Sequence, residues 1–372
     1  MKHVLRLTVA IIVVAGAIAG AAFFLPSSGG GFEQLRAWTA VLDGDDRSLD
    51  HAFDFASPRV GFRVDGQAVE FVDVPSVVQS TLLDPRRDAA VSALTGLNLA
   101  GSATAVMVFD NAPRSLIMFA TDPDPNASQA FTRAYDDRGF GSETIGGVAV
   151  RHIGEDGIFE PQRLVGQWDP FDKGIGQPQR VALVGDTLVG AANWDGIQQG
   201  VAGLAPDAAC TACQPWRELV SALESEAGSG AHLTMASGWL ATGFKADGQL
   251  SEAGLPLSLS PLPTFDYVLF ATTERSGRHA AHLVVRFPDG ADAEAGLTEI
   301  TARMNAALTL QGRPEARLAV EKGTIRPIEG TGAAAAVLTI GANDGQPGTA
   351  STVYSTMGYL AVSRDFLGLA WN

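Results

Sequence analysis

The stretch Phe265-Asp266-Tyr267-Val268-Leu269-Phe270-Ala271-Thr272-Thr273, then Glu274-Arg275-Ser276-Gly277, then Ala280-Ala281-His282-Leu283-Val284-Val285-Arg286-Phe287, decides the fold. Two runs rich in β-branched and aromatic residues flank a Gly-containing turn, the pattern of an antiparallel hairpin. Pro288-Asp289-Gly290 follows and leads into a predicted helix over residues 291–308. A hairpin has an apolar face that a helix must cover, so the unit reads as α+β.

The same order occurs about 160 residues earlier. Ala103–Phe109 reads as a strand, Asp110-Asn111-Ala112-Pro113 as a turn and Ser115–Thr121 as a second strand. Asp122-Pro123-Asp124-Pro125-Asn126 then opens a helix over Ala127–Asp137, with Asp124 or Asn126 as its cap. Downstream, Arg180–Val184 and Thr187–Ala192 form an apolar hairpin across Gly185-Asp186. Ala334–Ile340 and Gly358–Val362 read as its counterpart. The expectation is α+β, with two domains of mainly antiparallel sheet covered by helices, arranged as a diverged duplication. They would span 32–229 and 230–372, dividing at Gly228-Ser229-Gly230. Before the first copy, residues 33–42 read as a short amphipathic helix. Val60–Val64 and Ala68–Val72 read as a hairpin about Asp65-Gly66, and Pro85–Leu97 as a helix.

Across residues 80–203, these hairpins, the acidic-Pro helix start and Ile145-Gly146-Gly147-Val148-Ala149-Val150 resemble a group of uncharacterised bacterial envelope proteins. Those have an N-terminal anchor followed by repeated α+β units. The resemblance implies a fold and brings no activity or functional residues with it.

The N-terminus points to the same compartment independently. Residues 1–6 carry Lys2, His3 and Arg6, and Leu7 to Leu25 contains no charge. A spanning helix needs about 20 apolar residues, and cations before it keep the N-terminus inside. Residues 7–25 are therefore expected to be a transmembrane anchor in the inner membrane, crossing once and leaving the bulk of the chain in the periplasm. The alternative is a cleaved signal segment and a soluble periplasmic protein, since Ala15-Gly16-Ala17 and Ala17-Ile18-Ala19 resemble cleavage sites. Residues 26–31 read as a Gly/Ser tether.

The formal net charge is −15; without Lys2 and Arg6 the exported part carries −17. A surface this acidic repels phosphate backbones, which excludes nucleic acid as a partner. Hydrophobic residues make up 46% of the chain, enough for a packed core.

Few residues suggest chemistry. Cys210 and Cys213 form a C-x-x-C just ahead of a helix predicted from Pro215 to Glu226. Export favours a disulfide. A redox role would exploit the helix N-terminus, but loop rather than strand precedes the pair, so a local structural disulfide is expected. Asp122, Asp124 and Asn126 imitate the start of a calcium loop, yet Ala127 and Arg133 stand where Gly and Glu are required. His279 and His282 would point to opposite faces of a strand. Neither a metal nor a cofactor is expected.

The most suggestive stretch is residues 154–179, a connection without regular period that carries Phe159, Trp168, Asp169, Phe171 and Asp172. Aromatic residues are enriched at contact surfaces. The sequence thus favours a non-catalytic binding or scaffold protein, held to the membrane through Leu7 to Leu25 and meeting another envelope protein. A carrier of an apolar small molecule and a thiol–disulfide oxidoreductase using the cysteine pair are the alternatives.

Overall fold

The computed structural model describes residues 30–42, 51–56, 63–64, 67–68, 91–97, 104–108, 115–121, 127–161, 178–208, 210–244, 261–307, 318–341, 347–362 and 366–370. In chain order the first half contributes α1 (Gly30–Trp38), β1 (His51–Ala56), the short strands β2 (Arg63–Val64) and β3 (Gln67–Ala68), β4 (Thr104–Val108), β5 (Ser115–Ala120), α2 (Ala127–Asp136), β6 (Gly141–Ile145), β7 (Val148–Ile153), β8 (Gln179–Val184), β9 (Thr187–Ala191) and α3 (Trp194–Gly203). Then come α4 (Gln214–Ala227), β10 (His232–Leu240), β11 (Tyr267–Arg275), β12 (Arg278–Phe287), α5 (Gly290–Ala307), β13 (Val320–Pro327), β14 (Ala334–Ile340) and α6 (Pro347–Val362). The expected anchor, Leu7–Leu25, lies outside the described residues. Among the described residues no helix is long and apolar enough to cross a membrane.

The hairpins form where their turn residues allow it. Arg275 pairs with Arg278, leaving Ser276 and Gly277 as the loop, with φ of 53° and 77°. Two-residue loops with both φ positive match the right-handed twist of the flanking strands. Gly146 and Gly147 do the same between β6 and β7, where Ile145 pairs with Val148.

Among the described residues, twelve strands make one antiparallel sheet in the order β13-β14-β12-β11-β10-β1-β4-β5-β9-β8-β7-β6. From the centre outwards, the two halves follow one scheme. A lone strand (β1 or β10) pairs with a hairpin (β4-β5 or β11-β12). A helix follows (α2 or α5). The last strand of a later hairpin (β9 or β14) then returns beside the first hairpin. The first half inserts an additional hairpin, β6-β7. The sheet passes without interruption from β1 to β10, so the Gly228-Ser229-Gly230 division separates stretches of chain that share one sheet.

One expected strand is corrected. Gly358–Val362 is the end of α6, and the counterpart of the β8-β9 hairpin is β13-β14. Tyr359 and Val362 favour strand locally. The residues that bury, however, are Ala350, Val353, Met357, Leu360 and Ala361, a helical spacing laid against the sheet.

The sheet is buried on both faces. Alternation sends Leu269 and Ala271 to one side, where α1, α3 and α4 cover the middle with Phe32, Leu35, Trp38, Ile197, Trp216 and Leu219. Val268 and Phe270 point to the other side, under α5 and α6. Further along that side, α2 and residues 91–97 cover Ile117, Phe119, Val181 and Leu188. The central join requires a glycine: a Cβ at Gly238 would lie 2.3 Å from the Phe53 ring across the β1–β10 pair. Gly238→Val should destabilise the protein by about 2–3 kcal/mol through overpacking. Urea unfolding followed by circular dichroism reads this directly, and a loss under 0.5 kcal/mol would contradict the packing described.

Candidate functional site

The sheet centre gathers residue types that resemble a hydrolase triad. His51 Nε2 lies 3.2 Å from Asp54 Oδ1 and 3.2 Å from Ser237 Oγ. A relay needs the carboxylate on one ring nitrogen and the hydroxyl on the other. Here a single nitrogen meets both, so the imidazole cannot take the serine proton while the carboxylate holds its far side. Ser237 Oγ also accepts a hydrogen bond from Trp239 Nε1 at 2.8 Å and bonds the Tyr354 hydroxyl. Burial, aided by the Asp54 charge, pushes the Tyr354 phenol well above its usual range, so it stays neutral. The cluster ties α6 to the two central strands.

A second assembly anchors the connection between β7 and β8. Arg180 is 1% exposed. Its guanidinium pairs with Asp156 and donates to Gly154 O at 3.0 Å and Ile153 O at 3.2 Å. It also lies over the Trp194 ring, 4.8 Å from the centroid. The other oxygen of Asp156 accepts from the Trp194 backbone N–H at 2.9 Å, which places a carboxylate at the N-terminus of α3. Both the unpaired helix donors and the dipole favour an anion there. The N–H of Ile158 closes a turn onto Glu155 O at 3.0 Å. On this fixed base, Ile158 and Phe159 stand out into solvent, 47% and 54% exposed.

Of the residues singled out in the 154–179 stretch, Phe159 is described, and it is exposed. Trp168, Asp169, Phe171 and Asp172 lie outside the described residues, as do Asp122 to Asn126. Cys210 and Cys213 are bonded to one another, with Cα atoms 5.1 Å apart. Cys213 is buried and is the N-cap residue of α4, with Pro215 in its first turn. The pair follows α3 and a run of turns, not a strand. His279 and His282 lie on opposite faces of β12, with His282 buried between Thr273 and Thr339. Among the described residues no group of three acidic, His or Cys side chains could hold a metal ion.

Two ion clusters join α4 to the second half. Arg286 reaches Glu218 at 2.7 Å and Asp266 at 2.5 Å. Burial raises the Asp266 carboxyl despite the pull of Arg286. Glu226, at the end of α4, accepts from Lys322 and from Arg326 at 2.6 Å on β13. Burial pushes its carboxyl up, but the bonds and charges of Lys322 and Arg326 outweigh that and hold it low.

The cysteine pairing was readable from the sequence, while the Arg180 clamp and the His51 cluster were not singled out there. The available signals were an arginine inside the apolar strand Arg180–Val184 and an aspartate in His51-Ala52-Phe53-Asp54-Phe55. Such residues are rarely buried unless paired.

No family model matches the chain, and no curated protein matches it. Among solved structures, crystal form I of the Treponema protein TP0453 aligns with a TM-score of 0.35 at 10% identity, covering 87% of this chain and 98% of that one. Crystal form III gives 0.33 at 13% identity, with the same coverage. At these scores the likeness carries no functional argument.

Burial pushes the His282 imidazole down to about 4. In an unfolded chain it titrates near 6.5, so between these values the unfolded state binds more protons. The stability of the neutral, buried ring is whole above about pH 6.5, falls as the pH drops, and loses nothing further below about 4, a total of about 3 kcal/mol at most. His282→Asn should flatten this part of the pH profile. Urea midpoints at pH 7.0, 5.5 and 4.5 test it, and an unchanged slope would assign the acid loss elsewhere.

Proposed function

We propose that this chain is a non-catalytic binding or scaffold protein of the bacterial envelope. Anchored through Leu7 to Leu25, with its bulk in the periplasm, it presents the connection 154–178 to another envelope protein. The observation that carries this reading is the Arg180–Asp156–Trp194 clamp beneath Ile158 and Phe159. Two adjacent large apolar side chains are held outward on an ordered base, so little conformational entropy is lost when a partner covers them. Aromatic anchors of this kind dominate interface energetics.

The thiol–disulfide reading keeps one supporting observation, the position of the cysteine pair at the N-terminus of α4. A redox titration separates the two: a potential near those of periplasmic oxidants, with insulin reduction, would favour exchange chemistry.

The binding reading predicts that Ile158→Ser with Phe159→Asp removes the partner. In affinity purification from native membranes, the wild-type chain should retain a protein that the double variant loses, while both unfold at the same urea concentration. Identical retained proteins would remove this segment from the account.

A further inference from the structure

The start of α1 limits which part of the sheet can lie at the bilayer. Leu25, the last residue of the expected anchor, stands five residues before Gly30, the first of α1. Five residues span at most about 18 Å when fully extended, and crossing the headgroup layer takes about 6 Å of that. The helix therefore begins within about 12 Å of the membrane surface. Its first turn lies on β10, since a Cβ on Gly31 would collide with the Leu233 carbonyl. Leu233 pairs with Thr273, and Arg275 pairs with Arg278 across the turn that follows. At about 3.4 Å per strand residue, Ser276 projects about 10 Å beyond Leu233. The other end of β10, at Leu240, lies about 24 Å in the opposite direction. Were that end against the bilayer, the first turn of α1 would stand beyond the reach of the tether.

Charge chooses between the turn and the helical face. On that face α1 and α3 expose Glu33 and Asp195. Its cations are turned to partners within it: Arg36 pairs with Glu224 at 2.5 Å, and Arg217 donates to Arg36 O at 3.2 Å. The turn instead exposes Arg275 and Arg278. Its one carboxylate, Glu274, accepts the Gly277 N–H at 2.5 Å. Exposed Glu321 on β13 lies level with Ala281, three residues behind Arg278 along the strand. Arg275 also donates to Ala227 O at 3.3 Å, which steadies the turn against the end of α4. A guanidinium fork matches the oxygens of a phosphate.

We propose that the β11–β12 turn rests on the bilayer, with Arg275 and Arg278 on the phosphates of anionic lipid headgroups. The same phosphates repel the acidic remainder of the surface, so the turn is held as the point of contact. This contact rests on the retained anchor proposed above, since a released chain has no tether.

The test uses the full chain reconstituted into vesicles of phosphatidylethanolamine and phosphatidylglycerol that contain lipid with a spin-labelled headgroup. Three variants, Ser276→Cys at the turn, Ser221→Cys on the outer face of α4 and Glu329→Cys at the other end of β13, each carry one fluorophore; Cys210 and Cys213 are bonded to one another and take none. Quenching at position 276 should exceed that at 221 and 329 by about threefold or more. Adding Arg275→Gln with Arg278→Gln should lower it to less than about half, because each cation near an anionic surface contributes to holding it there. Circular dichroism checks that the variants are folded, and Arg278→Gln alone serves if loss of the Arg275 bond disturbs α4. Extraction of the chain by carbonate would overturn the anchored reading and this contact together. A carbonate-resistant chain quenched most at 221 or 329, or equally at all three, would overturn the contact and leave the anchor. Quenching at 276 that ignores loss of the arginines would also overturn it.

Discussion

The structure depends on the antiparallel pairing of β1 with β10. Phe53 faces Gly238 and Asp54 faces Ser237 across it, and each half of the sheet extends outward from it. The pair is held from both faces. On one side the Phe53 ring meets Trp216 edge to face at 5.2 Å, which draws α4 onto the join. On the other, His51 lies 4.4 Å from Trp239, and the serine between them bonds Tyr354 of α6. A bulky residue at 238 would therefore disturb both layers, because it would move the strand on which both packings rest.

Among the described residues, several enclosed charges fix the position of an element. Arg180, Glu226 and Arg286 each lose hydration, and each recovers it through several hydrogen bonds rather than one. Buried pairs of this kind contribute little net stability compared with apolar packing, but breaking one leaves an uncompensated charge. Their placement is informative. Arg180 sets the exit of a long connection. Glu226 and Arg286 join the helix between the halves to the outer and inner strands of the second half. What they supply is geometry, at the places where hydrophobic contacts, which lack direction, would leave an element free to slide.

Much of the architecture was legible because period and turn chemistry agree. Ser276-Gly277, Gly146-Gly147 and Gly185-Asp186 each sit between alternating runs, and each is a two-residue hairpin loop. The helix starts after the acidic-Pro segments were legible for the same reason. The order of strands was not, since nothing local in His51–Ala56 or His232–Leu240 tells that strands so remote in sequence will pair. Gly358–Val362 misled because Tyr359 and Val362 favour strand, while the burial of Val353, Met357, Leu360 and Ala361 follows a helix. Of the residues singled out for chemistry, the pairing of Cys210 with Cys213 was legible. The clamp under Phe159 unites Asp156, Arg180 and Trp194, three residues with no mutual spacing that periodicity could reveal, and the His51 cluster draws on three separate elements.

The distance along the chain between β1 and β10 has a consequence for biosynthesis. Until residue 240 has been made, the inner edge of β1 lacks its neighbour, and the helix that covers the join, α4, arrives only shortly before. Folding dominated by such remote contacts is slow, and an unsatisfied strand edge invites wrong pairing in the interval. A nascent chain that stalls in its first two hundred residues would present half a sheet with an open, apolar border. Such a fragment is a natural client for a holding chaperone.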